Sequence, residues 1–195
     1  MSAETPEVVL LMGPPGAGKG TQANLLAASR HLQKLSTGDM LRAHVRDGTE
    51  LGHKAKAVMD EGALVTDEII IAMVKAELDK MNPIRVLLDG FPRTTGQAEA
   101  LDELLASYGV GITAALELVV DEAELVRRLV GRAEQEGRSD DNEATILRRM
   151  AVYREQTAPL IDYYQQHGQH RSVDGMGSTQ AVEARIANAL ESELA

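Results

Sequence analysis

The sequence predicts an α/β protein: a parallel sheet with helices on both faces. Three observations predict it: short continuous apolar runs, helical stretches between them, and a glycine-rich turn after the first run. Val8 to Met12 (VVLLM) has no polar position, the pattern of a strand buried on both faces. Lys19 to Arg30 follows as a helix. Arg85 to Leu88 leads through a Gly/Pro turn into a helix from about Thr94 to Ala106. Ala114 to Val120 leads into a helix near Glu122 to Arg132. Asn142 to Gln166 reads as one long helix by its caps and periodicity, His170 to Val173 as a short last strand, and Gln180 to Leu194 as a closing helix. Such alternation gives right-handed crossovers, and ligands then bind at the carboxyl ends of the strands.

Two stretches break the alternation. Residues 43–81 are helical, with Leu51 to Glu61 and Asp67 to Lys80 and no strand between them, which suggests a small inserted lobe. Residues 132–141 (RAEQEGRSDD) are polar and charged and read as a surface flap. Residues 1–7 read as a polar tail.

Composition narrows the function. Hydrophobic residues make up 44% of the 195-residue chain but aromatics only 3%, so the core must be built from Ala, Leu, Val, Ile and Met. A net charge of -10 argues against a general nucleic-acid or membrane-surface binder. Any phosphate site must therefore gather its cations locally. The absence of cysteine excludes disulfides and Cys-ligated zinc and fits a reducing cytosol. Val8 to Met12 is too short for a membrane span or a signal segment. The expectation is a soluble, cytoplasmic protein. The histidines (31, 44, 53, 167 and 170) form no ligand spacing.

Gly13-Pro-Pro-Gly-Ala-Gly-Lys19-Gly-Thr21 sits between the first strand and the first helix, the context a P-loop requires. In such a loop the backbone N–H groups of Gly16, Ala17, Gly18, Gly20 and Thr21 turn toward phosphate oxygens. The helix N-terminus adds partial positive charge, and Lys19 reaches the terminal phosphates. Gly20 stands where the usual pattern has a Ser or Thr that ligates Mg²⁺. The expectation is that phosphates and water hold the magnesium, with Asp89, at the end of its strand, holding those waters.

GKGT in place of GK[ST] is the form seen in nucleoside-monophosphate kinases, and three further segments resemble adenylate kinase. Ser36 to Arg42 resembles its STGDxLR, Leu88 to Gln97 contains its DGFPRTxxQ, and Gly137 to Asn142 (GRSDDN) resembles the end of its lid in the short-lid form. The resemblance covers about Val8 to Leu190. It implies a P-loop three-layer fold with a five-stranded parallel sheet, an inserted helical AMP-binding lobe and a short lid. The whole chain, 1–195, would be one domain: core 8–42, 82–131 and 142–195, lobe about 36–65 with a flanking helix to 81, and lid about 132–141. It also implies reversible phosphoryl transfer from ATP to AMP giving two ADP, with Mg²⁺, in purine nucleotide interconversion and energy homeostasis. The cysteine-free flap is too short for the zinc-bearing lid of longer members. The family's usual state is a monomer.

The resemblance assigns residues. Arg42 and Arg93 present planar forks to the AMP phosphate. Gln97 has an amide that can donate to adenine N1 and accept from its 6-amino group. Thr37 lines the base pocket, the backbone of Ala63, Leu64 and Val65 lies along AMP, and Gly90, Phe91 and Pro92 form the close turn, with Phe91–Pro92 cis. Arg128, Arg132, Arg138 and Arg149 surround the transferring phosphoryl group with Lys19 and Arg93, and Arg138 and Arg149 also serve AMP. Arg132 and Gly177, in the turn after the last strand, contact ATP. Arg127 and Arg148 read as solvated. Asp140 and Asp141 have two readings, as partners of flap arginines or as helix N-caps. No general base is needed, because the acceptor is already an oxyanion. Pyrimidine-monophosphate kinases share the P-loop and short lid but typically have Ala at the position of Thr37 and Asn near that of Gln97. A GTP-binding switch protein would need a guanine-reading NKxD, which does not occur.

Overall fold

All six residues of β1 (Glu7–Met12) are buried, and their alternation divides the interior in two. Val8, Leu10 and Met12 enter one core, and Val9 and Leu11 the other. The computed structural model describes residues 5–136 and 143–191, with side chains left undescribed at 132–136 and 143. After β1 come α1 (Lys19–Arg30), β2 (Gln33–Ser36), α2 (Thr37–Arg46), α3 (Glu50–Asp60), α4 (Asp67–Leu78), β3 (Arg85–Asp89) and α5 (Thr95–Ser107). Then follow β4 (Ala114–Val119), α6 (Glu122–Glu136), α7 (Glu143–Val152), α8 (Pro159–Gln166), β5 (His170–Asp174) and α9 (Thr179–Glu191).

The strands form one five-stranded sheet in the order β2-β3-β1-β4-β5. All pairings are parallel, with Leu10 opposite Leu88 on one side and Ala115 on the other. Helices α4, α5 and α8 cover one face through Val74, Leu78, Leu101, Leu105, Leu160 and Tyr164. Helices α1 and α9 cover the other through Ala23, Leu26, Val182 and Ile186. The chain runs from β1 out to the edge at β2, returns through β3 and then passes β1 to reach β4 and β5, so its direction across the sheet reverses beside β1. The loops after β1, β2 and β3 meet at that switch point, where open α/β sheets bind ligands.

Three elements differ from the sequence expectation. No apolar run marked β2, because it is an edge strand and only Leu35 of its four residues is buried. The long helix over 142–166 is broken: a π-helical turn, Tyr153–Thr157, separates α7 from α8. Pro159 has no N–H to donate to the turn before it, and the Ala158 N–H reaches back to the Tyr153 carbonyl at 2.8 Å. Helix α6 also continues past Arg132 to Glu136, into the stretch expected as flap. Among the described residues, no helix is long and apolar enough to cross a membrane.

Leu10→Ala removes a fully buried side chain from the central strand and is expected to cost about 2–5 kcal/mol. Leu147→Ala on α7, where the side chain is 64% exposed, is expected to stay within about 0.5 kcal/mol. Urea unfolding of both variants checks the contrast.

Candidate active site

Helix α1 starts at Lys19 without a side-chain cap: Gly18 precedes it in a left-handed conformation. At three other helices a hydroxyl fills this role, Ser36 for α2, Thr49 for α3 and Thr94 for α5. The uncapped N–H groups of α1 therefore face the cleft with their partial positive charge. Lys19 Nζ folds back onto the loop and donates to the carbonyls of Gly13 (2.8 Å) and Pro14 (2.9 Å). Gly16 holds φ +85°, and a Cβ there would lie 2.9 Å from both the Leu125 carbonyl oxygen and Leu129 Cγ. Ala17 is buried. Arg128, on α6, donates to Glu124 (2.7 Å), to the Ala17 carbonyl (3.4 Å) and to the Gly175 carbonyl (3.2 Å). It thus ties the phosphate loop to the turn after β5. Gly177 lies two residues past Gly175 and is not part of the cleft wall.

A smaller chamber lies between α2, α4 and the turn after β3, with Ala63, Leu64 and Val65 in its wall. Thr37 Oγ1 donates to the Gly90 carbonyl at 3.0 Å, and Arg93 Nε donates to the same oxygen at 2.8 Å. Gln97 is buried in the wall, its Oε1 accepting the Arg93 N–H at 2.7 Å and its Nε2 donating to Asp67 at 2.6 Å. The Phe91–Pro92 bond is cis. The Phe91 side chain packs into the core beneath the turn, whereas Pro92 lines the cleft.

The main cleft, about 700 Å³, runs from the phosphate loop to this chamber. Both spaces share a wall made by Arg42, Arg93 and Arg149 together with Gly38, Leu64 and Gly90. Burial, then the charge of Arg149 and that of Arg42, push the Arg93 guanidinium down to about 10 against the pull of Asp89. It is still charged at neutral pH. Because this folded pKa is lowered for a base, its charge weakens the fold below pH 10, and that effect fades as pH rises through and above that value. Arg42 is bonded to Asp39 at 2.5 Å. Burial alone would raise the Asp39 pKa, but the hydrogen bond and charge of Arg42, helped by Lys34 and Ser36, outweigh it and hold the pKa low.

Asp89 is buried at the cleft floor with Lys19, Gly20 and Thr21, and its Oδ2 lies 3.8 Å from Lys34 Nζ. A Cβ on Gly20 would be 3.9 Å from the same oxygen, an ordinary contact. The floor therefore offers a carboxylate and open room beside the phosphate loop, which suits a hydrated divalent cation. Among the described residues, no His/Asp/Glu cluster could hold a metal ion by itself.

Among the residues that sequence reasoning missed are Lys34, Tyr153 and Thr157 in the cleft wall and Asp67 behind Gln97. Lys34 was hidden in the unrecognised edge strand. Tyr153 and Thr157 line the cleft from the π turn, and Thr157 Oγ1 donates to the Arg93 carbonyl at 2.9 Å. Burial, then Glu117, push the Tyr153 phenol up to about 12. Pro159, inside a helical pattern, was the available signal for that turn. Asp67 read as an ordinary first-turn acid. Arg127 is exposed as expected; it pairs with Glu124 and borders the cleft. The side chain of Arg132, and Arg138, Asp140 and Asp141, lie outside the described residues.

A five-stranded parallel sheet of this order, with an uncapped phosphate loop facing an arginine-lined second chamber, defines a P-loop nucleotide-binding protein. The chain belongs to the adenylate kinase family, whose model matches residues 11–169. It is similar to the adenylate kinase of Thermobifida fusca, 54% identical over 185 residues that span 94% of this chain and 98% of that one. The adenylate kinase of Deinococcus deserti is 52% identical over 191 residues, 95% of this chain and 97% of its own. That of Thermus thermophilus is 51% identical over 184 residues, 94% and 97%.

Gly16→Ala and Gly48→Ala separate backbone strain from crowding. Both glycines have positive φ, but nothing lies within 4 Å of a Cβ at Gly48. Each substitution is expected to cost about 1–3 kcal/mol. Gly16→Ala is expected to cost more and to lose affinity for nucleotide triphosphate, while Gly48→Ala keeps it. Thermal unfolding and calorimetric titration check both parts.

Proposed function

We propose that the protein transfers the terminal phosphoryl group of ATP to AMP, reversibly, giving two ADP. The observation that carries this reading is the shared wall: Arg42, Arg93 and Arg149 border both the cleft above the phosphate loop and the chamber holding Thr37 and Gln97. Two polyanions that meet there bring their phosphates to the same cations. The triphosphate of ATP lies along Gly16 to Thr21, and Lys19 exchanges the Gly13 and Pro14 carbonyls for phosphate oxygens. AMP enters the chamber with its base toward Thr37 and Gln97, beside Ala63 to Val65, and its phosphate toward Arg42 and Arg93.

The acceptor oxygen is anionic, so the work is positioning and charge stabilisation rather than proton removal. Arg149 and Arg128 border the transfer region, and Arg132 and Arg138 complete the ring when the short lid, about 132–141, closes over it. Closure excludes the water that would compete with AMP. Asp89 would hold magnesium through water, and magnesium would neutralise charge on the phosphates. The division into core 8–42, 82–131 and 142–195, AMP-binding lobe 36–65 and lid belongs to the same reading, as do a cytoplasmic location and a monomeric state.

A coupled assay with ATP·Mg and AMP, UMP, CMP or GMP tests the substrate assignment. AMP is expected to be preferred, and preference for a pyrimidine acceptor overturns it. Arg93→Ala removes a partly buried phosphate fork, so it is expected to cost about 2–5 kcal/mol of transition-state binding. That is a loss of at least roughly 30-fold in kcat/KM for AMP, with ATP affinity nearly unchanged. Weakened ATP binding with intact AMP use would show that the two sites are interchanged.

A further inference from the structure

The Gln97 amide is held on two sides. Its side chain is 2% exposed, its Nε2 donates to Asp67 Oδ1 at 2.6 Å and its Oε1 accepts the Arg93 N–H at 2.7 Å. Neither partner can change role: an ionised carboxylate only accepts and a backbone N–H only donates. Turning the amide over would set oxygen against oxygen and N–H against N–H, and two buried bonds would become two repulsions. Asp67 is itself fixed. It is the first residue of α4, and its Oδ2 accepts from Thr94 Oγ1 at 3.2 Å. That hydroxyl in turn accepts the Gln97 N–H at 3.1 Å as the cap of α5. Gln97 thus sits inside a closed circuit that joins the starts of two helices.

An amide has two N–H groups and two lone pairs on oxygen. With one of each engaged, one N–H and one lone pair are left for the chamber that Gln97 lines. We infer that Asp67 is a positioning residue for acceptor specificity: it locks the Gln97 amide in the orientation that reads a 6-aminopurine and rejects a 6-oxopurine. This rests on the reading of the chamber as the AMP site. Adenine offers an acceptor at N1 beside a donor at its 6-amino group. Hypoxanthine offers the reverse, a donor at N1 beside an acceptor at O6. In the same place, the two bases demand opposite orientations of one amide. A free amide would turn over to suit either base, and the circuit through Asp67 prevents that.

Asp67→Asn tests the lock. Its isosteric side chain can either donate or accept, so one of the two locks is lost and only the Arg93 N–H is left to oppose a turned amide. The probes are AMP and inosine monophosphate, each as acceptor with ATP·Mg, and each in calorimetric titration without ATP. The expected result is a rise of roughly 10- to 100-fold in the ratio of kcat/KM for inosine monophosphate over AMP, the scale of one bidentate base contact. The rise should come mainly through KM, with the KM for ATP unchanged. A role that is only structural would lower both acceptors together and leave the ratio where it was, and that outcome overturns the proposal. Should Asp67→Asn fail to fold, Asp67→Glu keeps an acceptor-only group and must keep the preference, and Asp67→Ser must loosen it. A preference for AMP lost in Asp67→Glu and kept in Asp67→Ser overturns the lock. Wild-type protein that does not use AMP would instead overturn the assignment of the site, whatever the variants do.

Discussion

The site depends on holding like charges together in a protein that is acidic overall. Arg42, Arg93 and Arg149 share one wall, and burial with mutual repulsion lowers the Arg93 pKa to about 10. That crowding opposes folding, and an anion bound there relieves it. The fold keeps the cluster in place with its own oxygens: the Gly90 carbonyl on Arg93, Thr157 on the Arg93 carbonyl, and Asp39 on Arg42. Against a net charge of -10, the cluster is a local concentration of cations at the carboxyl edge of the sheet, while lysines such as Lys54, Lys56 and Lys75 sit in exposed surface pairs.

Each of the main polar groups of the site already has an internal partner. Lys19 rests on the Gly13 and Pro14 carbonyls, Arg42 on Asp39, and Gln97 between Asp67 and the Arg93 N–H. The groups are therefore oriented before a ligand arrives, and none of these three is left without a partner. Binding then exchanges hydrogen bonds instead of creating them from nothing. The free-energy gain has to come from charge complementarity and from the geometry at which two phosphate chains meet.

The central strands and the phosphate loop were legible in the sequence, because a doubly buried strand leaves no polar position and a P-loop needs its glycines at fixed places. Thr37, Arg42, Arg93 and Gln97 were legible through motifs, and all four line the chamber. Three features stayed hidden for physical reasons. The strand β2 is at the sheet edge and has one buried residue, so it carries almost no hydrophobic signal. The π turn depends on how Pro159 is accommodated, which periodicity does not encode. The Asp67–Gln97 bond joins residues thirty apart, and a first-turn acid gives no sign of whether it serves its own helix or a neighbour's side chain. Phe91 shows the converse: a motif position that the fold spends on the core.

The most direct measurement is the stability that AMP binding adds. Thermal unfolding of the wild type and of Arg93→Met, each with and without AMP at pH 7.5, reads whether an anion relieves the cluster. The expected result is a clear rise in Tm with AMP for the wild type, a much smaller rise for Arg93→Met, and a ligand-free Arg93→Met no less stable than the ligand-free wild type. An equal rise in both proteins, or a ligand-free Arg93→Met that is clearly less stable, would contradict the claim that the phosphate relieves a crowded arginine cluster.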